Sequence, residues 1–107
     1  MELRHLNKED FDQAVNAGDD LVVVDFFADW CTPCQMLGPV VAKAAEQYPD
    51  VHFYKVDTQT QRDLALRFRV LSIPTLLYMK RGTVLHRSTG YVDAGELAAA
   101  VEQYKNA

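Results

Sequence analysis

The sequence predicts a single α/β domain in which one sheet carries helices on both of its faces. Three observations lead to this fold class. Segments typical of strands and of helices alternate along the 107 residues, without a linker, an internal repeat or a low-complexity stretch. Residues 21–27 (LVVVDFF) are almost continuously apolar, which is typical of a strand buried on both faces. The length matches one domain, so we expect residues 1–107 to form one unit.

The first half of the chain is predicted to alternate strands and helices. A short strand near residues 3–6 leads into a short helix, which Asn7 can cap because its side-chain oxygen accepts backbone N–H groups. The strand at residues 21–27 precedes a second helix, which ends before Pro49 because proline cannot continue a helix. Residues 51–57 (VHFYKVD) form the next strand. Strand, helix and strand together indicate a right-handed βαβ unit.

The second half is predicted to add a short helix, a hairpin and a final helix. Residues 63–68 are helical, with apolar side chains on one side. Residues 75–80 and 83–88 are strands joined by a tight Arg-Gly turn, which favours antiparallel pairing. Asp93 and Glu96 have the spacing of a capping box and therefore mark the start of the last helix.

Composition and charge exclude several classes of function. The chain has 11 basic and 15 acidic residues and a net charge of −4, so it lacks the basic surface that nucleic acids and anionic membranes require. Its longest apolar runs, of about four residues, are far shorter than the roughly 20 residues of a membrane span. The N-terminal segment has no pattern of a secretory signal. We therefore expect a cytoplasmic monomer that recognises its partners by shape and apolar contact.

The two cysteines, Cys31 and Cys34, stand together in the string WCTPC. A structural disulfide is one explanation, although closing a four-residue loop would stabilise the fold by only about 2 kcal/mol. A zinc site is another, but the three further candidate ligands, His5, His52 and His86, are scattered singly. Two incidental buried thiols are a third. The remaining explanation is redox chemistry, in which one thiolate attacks a disulfide and the second thiol resolves the mixed disulfide.

Several motifs together resemble those of the thioredoxin family, over essentially the full length of the chain. They are VVVDFFADWCTPC, the string SIPT at residues 72–75, a turn that ends in Gly82, and the pair Thr89-Gly90. The resemblance implies a thioredoxin fold, with a five-stranded mixed sheet flanked by four helices. It also implies reduction of protein disulfides, without a bound cofactor or metal. The Cys31–Cys34 disulfide would then be recycled by a flavin-containing thioredoxin reductase that uses NADPH.

The resemblance also implies a role for three side chains. Cys31 is expected to be the nucleophile, because a helix N-terminus carries partial positive charge and favours the thiolate. Cys34 lies further inside and is expected to be the resolving thiol. Asp25 is the one charged residue of an apolar strand, so burial should raise its pKa, and the family's aspartate at this spacing takes the proton from the resolving thiol. Alternatively, Asp25 turns outward or pairs with Lys55.

An apolar rim beside the cysteines is the expected docking surface for substrates. Ile73 precedes a proline that the family holds in a cis peptide bond, and its backbone is expected to pair with a substrate strand. Thr32 stands where the family usually has Gly, and we expect its hydroxyl to hydrogen-bond the Cys31 sulfur, unless it faces solvent. The residues assigned to substrate binding are Trp30, Thr32, Pro33, Ile73, Pro74, Gly90 and Tyr91.

One further departure from the family pattern concerns charge near the buried carboxylate. Phe53 occupies a strand position that often holds a lysine near that aspartate.

Two rival functions remain open at this point. The chain could be a binding module whose partner needs the fold and not the thiols, or an oxidase or isomerase with the same fold. The intact cysteine pair speaks against the first as sole function, and Pro33 speaks against the second.

Overall fold

The computed structural model describes residues 2–107, and five strands and four helices alternate within them. In chain order these elements are β1 (Arg4–His5), α1 (Phe11–Val15), β2 (Val22–Phe27), α2 (Thr32–Gln47), β3 (His52–Asp57), α3 (Arg62–Arg67), β4 (Thr75–Lys80), β5 (Thr83–Thr89) and α4 (Ala94–Tyr104). No helix in this described part is long and apolar enough to cross a bilayer.

The strands form one mixed sheet in the order β1-β3-β2-β4-β5. β1, β3 and β2 are parallel, and β4 and β5 continue the sheet antiparallel to their neighbours. The predicted βαβ unit is confirmed, because α2 connects the parallel strands β2 and β3. β2 lies at the centre of the sheet and all six of its residues are buried, as its apolar sequence predicts.

Side chains on the two faces of the sheet form two separate apolar clusters. Because successive side chains of a strand point to opposite faces, β2 contributes alternate residues to each cluster. The first cluster packs β2 with α1 and α3, and includes Val22, Val24, Phe26, Phe11 and Leu64. The second packs it with α2 and α4, and includes Val23, Leu37, Val41, Leu97 and Val101. The predicted arrangement with helices on both faces is therefore confirmed.

The ends of most elements follow the predicted signals to within two residues. α2 continues through Pro39 and ends at Gln47, just before Tyr48 and Pro49. β1 is limited to two residues, which is shorter than the predicted strand. The capping box of α4 is confirmed, since the Asp93 carboxylate accepts the Glu96 N–H at 2.8 Å.

The capping bonds predicted at Asn7 form in the turn before α1. The Asn7 side-chain oxygen accepts the N–H groups of Glu9 and Asp10 at 3.0 Å each. The N-cap residue of α1 itself is Asp10, which makes no side-chain capping bond. The β4–β5 hairpin turns at Arg81 and Gly82, with φ angles of 48° and 77°. Gly82 adopts its left-handed angle without strain, and a Cβ atom there would lie 2.5 Å from the side-chain oxygen of Asn16, which would have to shift.

Candidate active site

The two cysteines lie where the chain leaves β2 and enters α2. Cys31 is the N-cap residue of this helix, with extended backbone angles (φ −89°, ψ 111°), and Pro33 occupies the first turn, where its missing N–H costs nothing. The Cys31 sulfur accepts the backbone N–H of Cys34 at 3.2 Å. The two residues form a disulfide, with their Cα atoms 5.2 Å apart. The sulfur that caps the helix is therefore also the sulfur placed in its positive field.

The surroundings of the two sulfurs differ, although both cysteines are 5% exposed. Cys34 was expected to lie deeper than Cys31, and in this disulfide-linked state the two are buried equally. The Cys31 sulfur lies 3.9 Å from the carbonyl oxygen of Ile73, on the loop that precedes β4. Cys34 instead lines a cleft of about 270 Å³ that Lys55 also borders. Each sulfur therefore faces a different part of the surface.

Asp25 is buried at the centre of β2 and its charge has no close partner. The residue is 1% exposed, and its Oδ1 atom has no hydrogen-bond partner in the described part of the chain. Loss of hydration on burial raises the pKa of Asp25 to about 6, against an opposing effect of the Lys55 ammonium. The expected burial and raised pKa are thus confirmed. The outward orientation considered for this residue is wrong.

The family often has a lysine near the buried aspartate at the position where this chain has Phe53. Here Lys55 supplies a cation near Asp25 instead. It is aligned with Asp25 in the parallel pairing of β2 and β3. Its ammonium lies 4.1 Å from the centre of the Phe27 ring, and so rests over an aromatic face rather than on the carboxylate. Phe53 is buried in the apolar cluster beneath α2. The sequence indicated Lys55 only as a possible partner of Asp25, and its position beside the Cys34 cleft follows from the fold.

The loop before β4 is fixed next to the Cys31 sulfur by hydrogen bonds at several points. The Ile73–Pro74 peptide bond is cis, as the resemblance implied. The Thr75 hydroxyl donates to the carbonyl oxygen of Ser72 at 2.6 Å. The Gly90 N–H donates to the Pro74 carbonyl oxygen at 2.8 Å, and Gly90 has a φ of 93°, which glycine adopts without strain. Gly90 and Pro74 are therefore brought together as predicted.

The remaining rim residues are on the surface. Trp30 is 69% exposed and Tyr91 is 44% exposed, which confirms that neither is an ordinary core residue. Thr32 and Pro33 are also exposed. Thr32 is exposed and makes no side-chain hydrogen bond to either sulfur among the described residues of this disulfide-linked state. The bond expected from its hydroxyl to the Cys31 sulfur favours the thiolate, so for the reduced state it stays a prediction.

An apolar groove next to Trp30 was missed by the sequence analysis. It has a volume of about 350 Å³ and is lined on its apolar sides by Trp30, Leu66, Val70, Leu71 and Ile73. Leu66 is 73% exposed and Leu71 is 92% exposed, which is unusual for large apolar side chains. One sequence feature could have indicated this groove: Leu66 does not lie on the side of α3 that Leu64 buries, so its apolar side chain has to be exposed.

Metal-binding residues do not gather elsewhere in the described chain. Among residues 2–107, no three side chains of His, Cys, Asp or Glu come close enough together to hold a metal ion. His52 lies beside Asp20, and His86 stacks on Tyr104 with ring centres 5.0 Å apart. The histidines thus occupy separate places on the fold, and the cysteines are joined to each other in a disulfide.

Comparison with known proteins identifies the family. The family model described as Thioredoxin matches residues 2–103. Thioredoxin-2 of Saccharomyces cerevisiae is 48% identical over 81 residues, which are 76% of this chain and 78% of that protein. The thioredoxin of Geodia cydonium is 41% identical over 99 residues, covering 92% and 91% of the two chains. A solved structure of a mutant thioredoxin from Halobacterium salinarum superposes with a TM-score of 0.88 at 35% identity and covers 96% and 89% of the two chains.

The match extends over sequence, fold and the cysteine pair together. The family model covers nearly the whole chain, the five-stranded sheet and four helices match the solved relative, and the pair Cys31–Cys34 lies at the start of α2. The chain therefore belongs to the thioredoxin family, whose members are thiol–disulfide oxidoreductases.

Proposed function

We propose that this chain reduces disulfides in other proteins, with Cys31 as the attacking thiolate. The observation that carries this proposal is the position of the Cys31 sulfur as the N-cap of α2. A thiolate there accepts the N–H of Cys34 and lies in the positive field of the helix, both of which lower a thiol pKa. The adjacent Ile73 carbonyl marks the side from which a substrate strand approaches.

In the first step, the Cys31 thiolate attacks one sulfur of the substrate disulfide. A bond forms between Cys31 and that sulfur, the substrate S–S bond breaks, and the other substrate sulfur leaves as a thiolate. The result is a mixed disulfide between the chain and its substrate. Trp30, Ile73 and the apolar groove support this step, because they offer contact area to a flexible segment around the substrate disulfide.

In the second step, Cys34 resolves the mixed disulfide. Its thiolate attacks the Cys31 sulfur, the Cys31–Cys34 disulfide forms, and the second substrate sulfur leaves. The substrate gains two electrons, and the protons of the two cysteine thiols end on its two thiolates. We assign to Asp25 the proton from the Cys34 thiol, because a buried carboxylate with a pKa of about 6 and an unpartnered oxygen is a base near neutral pH.

Substrate contact is assigned to the rim that surrounds Cys31. The loop before β4 supports this assignment because it borders the Cys31 sulfur at the Ile73 carbonyl, and the exposed rings of Trp30 and Tyr91 support it because they present apolar surface. The residues proposed for substrate binding are Trp30, Thr32, Pro33, Ile73, Pro74, Gly90 and Tyr91.

The cycle requires a donor that returns two electrons to the Cys31–Cys34 disulfide. We propose that a flavin-containing thioredoxin reductase supplies them from NADPH, so the chain acts as an electron carrier without a bound cofactor. A dithiol that reduces other proteins works where such a donor keeps it reduced, which favours the cytoplasm.

We further propose that residues 1–107 act as one domain and as a monomer, because the rim must be free to meet varied partners.

Insulin reduction tests this function. With NADPH and a thioredoxin reductase, we expect the chain to precipitate reduced insulin chains catalytically, and Cys31→Ser to abolish the reaction. Cys34→Ser should attack but not resolve, so mass spectrometry should find a substrate attached to Cys31. Serine is itself a good N-cap residue, so Cys31→Ser is a matched control that preserves the start of α2.

Two results would contradict the proposal. A folded wild-type chain that is inactive with insulin and reductase would favour a binding module that needs the fold alone. Absence of any adduct on Cys34→Ser, with the adduct instead on Cys34 of Cys31→Ser, would reverse the order of attack.

A further inference from the structure

α3 ends in an unusual way for its sequence. The N–H of Val70 donates to the carbonyl of Ala65 at 2.8 Å, and the N–H of Arg69 donates to the carbonyl of Leu66 at 3.1 Å. These two bonds form a Schellman motif, in which the residue after the helix takes the left-handed conformation that glycine favours. Here that residue is Arg69, with a φ of 53°. The end of α3 is therefore held in a conformation that its own sequence does not favour.

The Schellman motif leaves other carbonyls at the helix end without a partner from the helix. Two of these, on Phe68 and Arg69, accept hydrogen bonds from the guanidinium of Arg87, which reaches across from β5. The bond to Arg69 measures 3.3 Å. Arg87 forms no ion pair with any of the described residues. Its charge is instead applied to the C-terminal end of a helix, where a cation is favourable.

The residues that follow this contact form one side of the apolar groove. Val70, Leu71 and Ile73 line the groove together with Trp30, and we call residues 70–73 the groove wall. At its far end the wall is tied down by the Thr75 hydroxyl, which donates to the carbonyl of Ser72. At its near end the wall is held by the Val70 N–H, which donates to the carbonyl of Ala65, and by Arg87, which bonds the carbonyls of the two preceding residues. The wall contains no helix or strand of its own, so its shape depends on these two ends.

We propose that Arg87 is a positioning residue for substrate binding, which fixes the groove wall by bridging the carbonyls of Phe68 and Arg69. This inference rests on the proposed function, since it assigns the groove to the protein substrate. None of the sequence motifs contains Arg87, although the pair Thr89-Gly90 follows it closely on β5, and its contact with the end of α3 forms only in the folded chain. Its effect should reach only substrates that fill the groove.

The test compares a large and a small disulfide. Pre-reduced protein is mixed with insulin or with 5,5′-dithiobis(2-nitrobenzoate), and single-turnover rates are measured as a function of concentration. For Arg87→Gln, we expect the half-saturating concentration of insulin to rise about 3- to 10-fold, because two charged hydrogen bonds that order the wall are lost. The limiting rate, and the rate with the small disulfide, should change less than about twofold, because the cysteine pair is untouched.

Two further variants control for charge and for folding. Arg81→Gln removes the same charge from the same hairpin, at a site that pairs with Asp19 and does not line the groove, so its insulin kinetics should match wild type. Arg87→Lys keeps the charge and one donor group, and should recover part of the lost affinity. Hydrogen exchange provides a second readout: the amides of residues 70–73 should exchange faster in Arg87→Gln and at the wild-type rate in Arg81→Gln.

The following results would overturn the proposal. Unchanged insulin kinetics in Arg87→Gln would show that the bridge does not serve substrate binding. If Arg87→Gln slowed the reactions with insulin and with the small disulfide equally, the effect would lie in the fold or in the dithiol. If Arg81→Gln weakened insulin binding as much as Arg87→Gln, the cause would be the change in net charge. If wild type itself fails to reduce insulin, the proposed function fails. In that case unchanged exchange at residues 70–73 would separately refute the bridge.

Discussion

On one face of the sheet, β2 packs Val22, Val24 and Phe26 against α1 and α3, and all three side chains are apolar and fully or nearly buried. On the other face, beneath α2, the same strand places Asp25 next to Val23, and Leu21 lies just before the strand. That carboxylate has no hydrogen bond to its Oδ1 atom from any described residue. Both faces carry an apolar cluster that stabilises the fold, and the second face in addition buries a carboxylate, which costs stability.

The largest expected effect is on the apolar face. Phe26→Ala deletes a fully buried ring and should lower the free energy of unfolding by about 3–5 kcal/mol, since the surrounding core cannot close the cavity. Urea unfolding followed by circular dichroism measures this loss. The loss should be the same at pH 4 and pH 7.5, because the ring packs in a cluster of apolar side chains. A loss below about 1 kcal/mol would mean that the Phe26 ring contributes little to the stability of this face.

A smaller effect of opposite sign is expected at Asp25. Its pKa is about 6 in the fold and 3.8 in the unfolded chain, so the folded state binds more protons between these values, and stability falls as pH rises through that window. Above pH 6 the accumulated penalty is about 3 kcal/mol. Asp25→Asn should therefore stabilise the fold by up to about 3 kcal/mol at pH 7.5 and hardly at all at pH 4.

Urea unfolding of both proteins across pH 4–7.5, with the disulfide intact, checks this prediction. The same variant should reduce insulin more slowly at neutral pH, because the base proposed for Cys34 is lost. A pH-independent difference in stability would show that Asp25 is not a buried titrating group. A destabilised but fully active variant would point to a structural partner for the carboxylate.

The smallest effect is expected where α3 ends over the apolar face. Arg69 has a φ of 53°, which costs a residue with a Cβ atom about 1–2 kcal/mol relative to glycine. Arg69→Gly should raise the free energy of unfolding by about 0.5–1 kcal/mol, because glycine's greater freedom in the unfolded chain offsets part of the relief. Thermal unfolding measures this gain. A loss of stability would mean that the Arg69 side chain makes a contribution larger than the strain.

Much of the fold follows from local signals. The apolar run at residues 21–27 predicts the central strand, the Arg-Gly pair predicts the hairpin turn, and Asp93 with Glu96 predicts the start of α4. Each signal acts through neighbours in the chain, so a single sequence contains it. The length of β1 was overestimated, because its two ladder partners are on β3, in the second half of the chain.

The site divides in the same way. The cysteine pair and the buried aspartate are visible from their setting in an apolar strand and at a helix start, whereas the cis bond before Pro74 was inferred from family resemblance. Lys55 faces Asp25 only because β2 and β3 pair in one register, which no local pattern encodes. The groove depends on an arginine in the left-handed conformation at the end of α3, where the usual glycine signal is missing.

The sulfur of Cys31 is both the proposed nucleophile and the N-cap acceptor of α2. It accepts the N–H of Cys34 at 3.2 Å, and that amide belongs to the first turn of α2. A thiolate is a stronger acceptor than the sulfur of a disulfide, so every change of charge at Cys31 alters this one hydrogen bond. The NMR frequency of the Cys34 amide proton should therefore report whether the cysteine pair is reduced or oxidised.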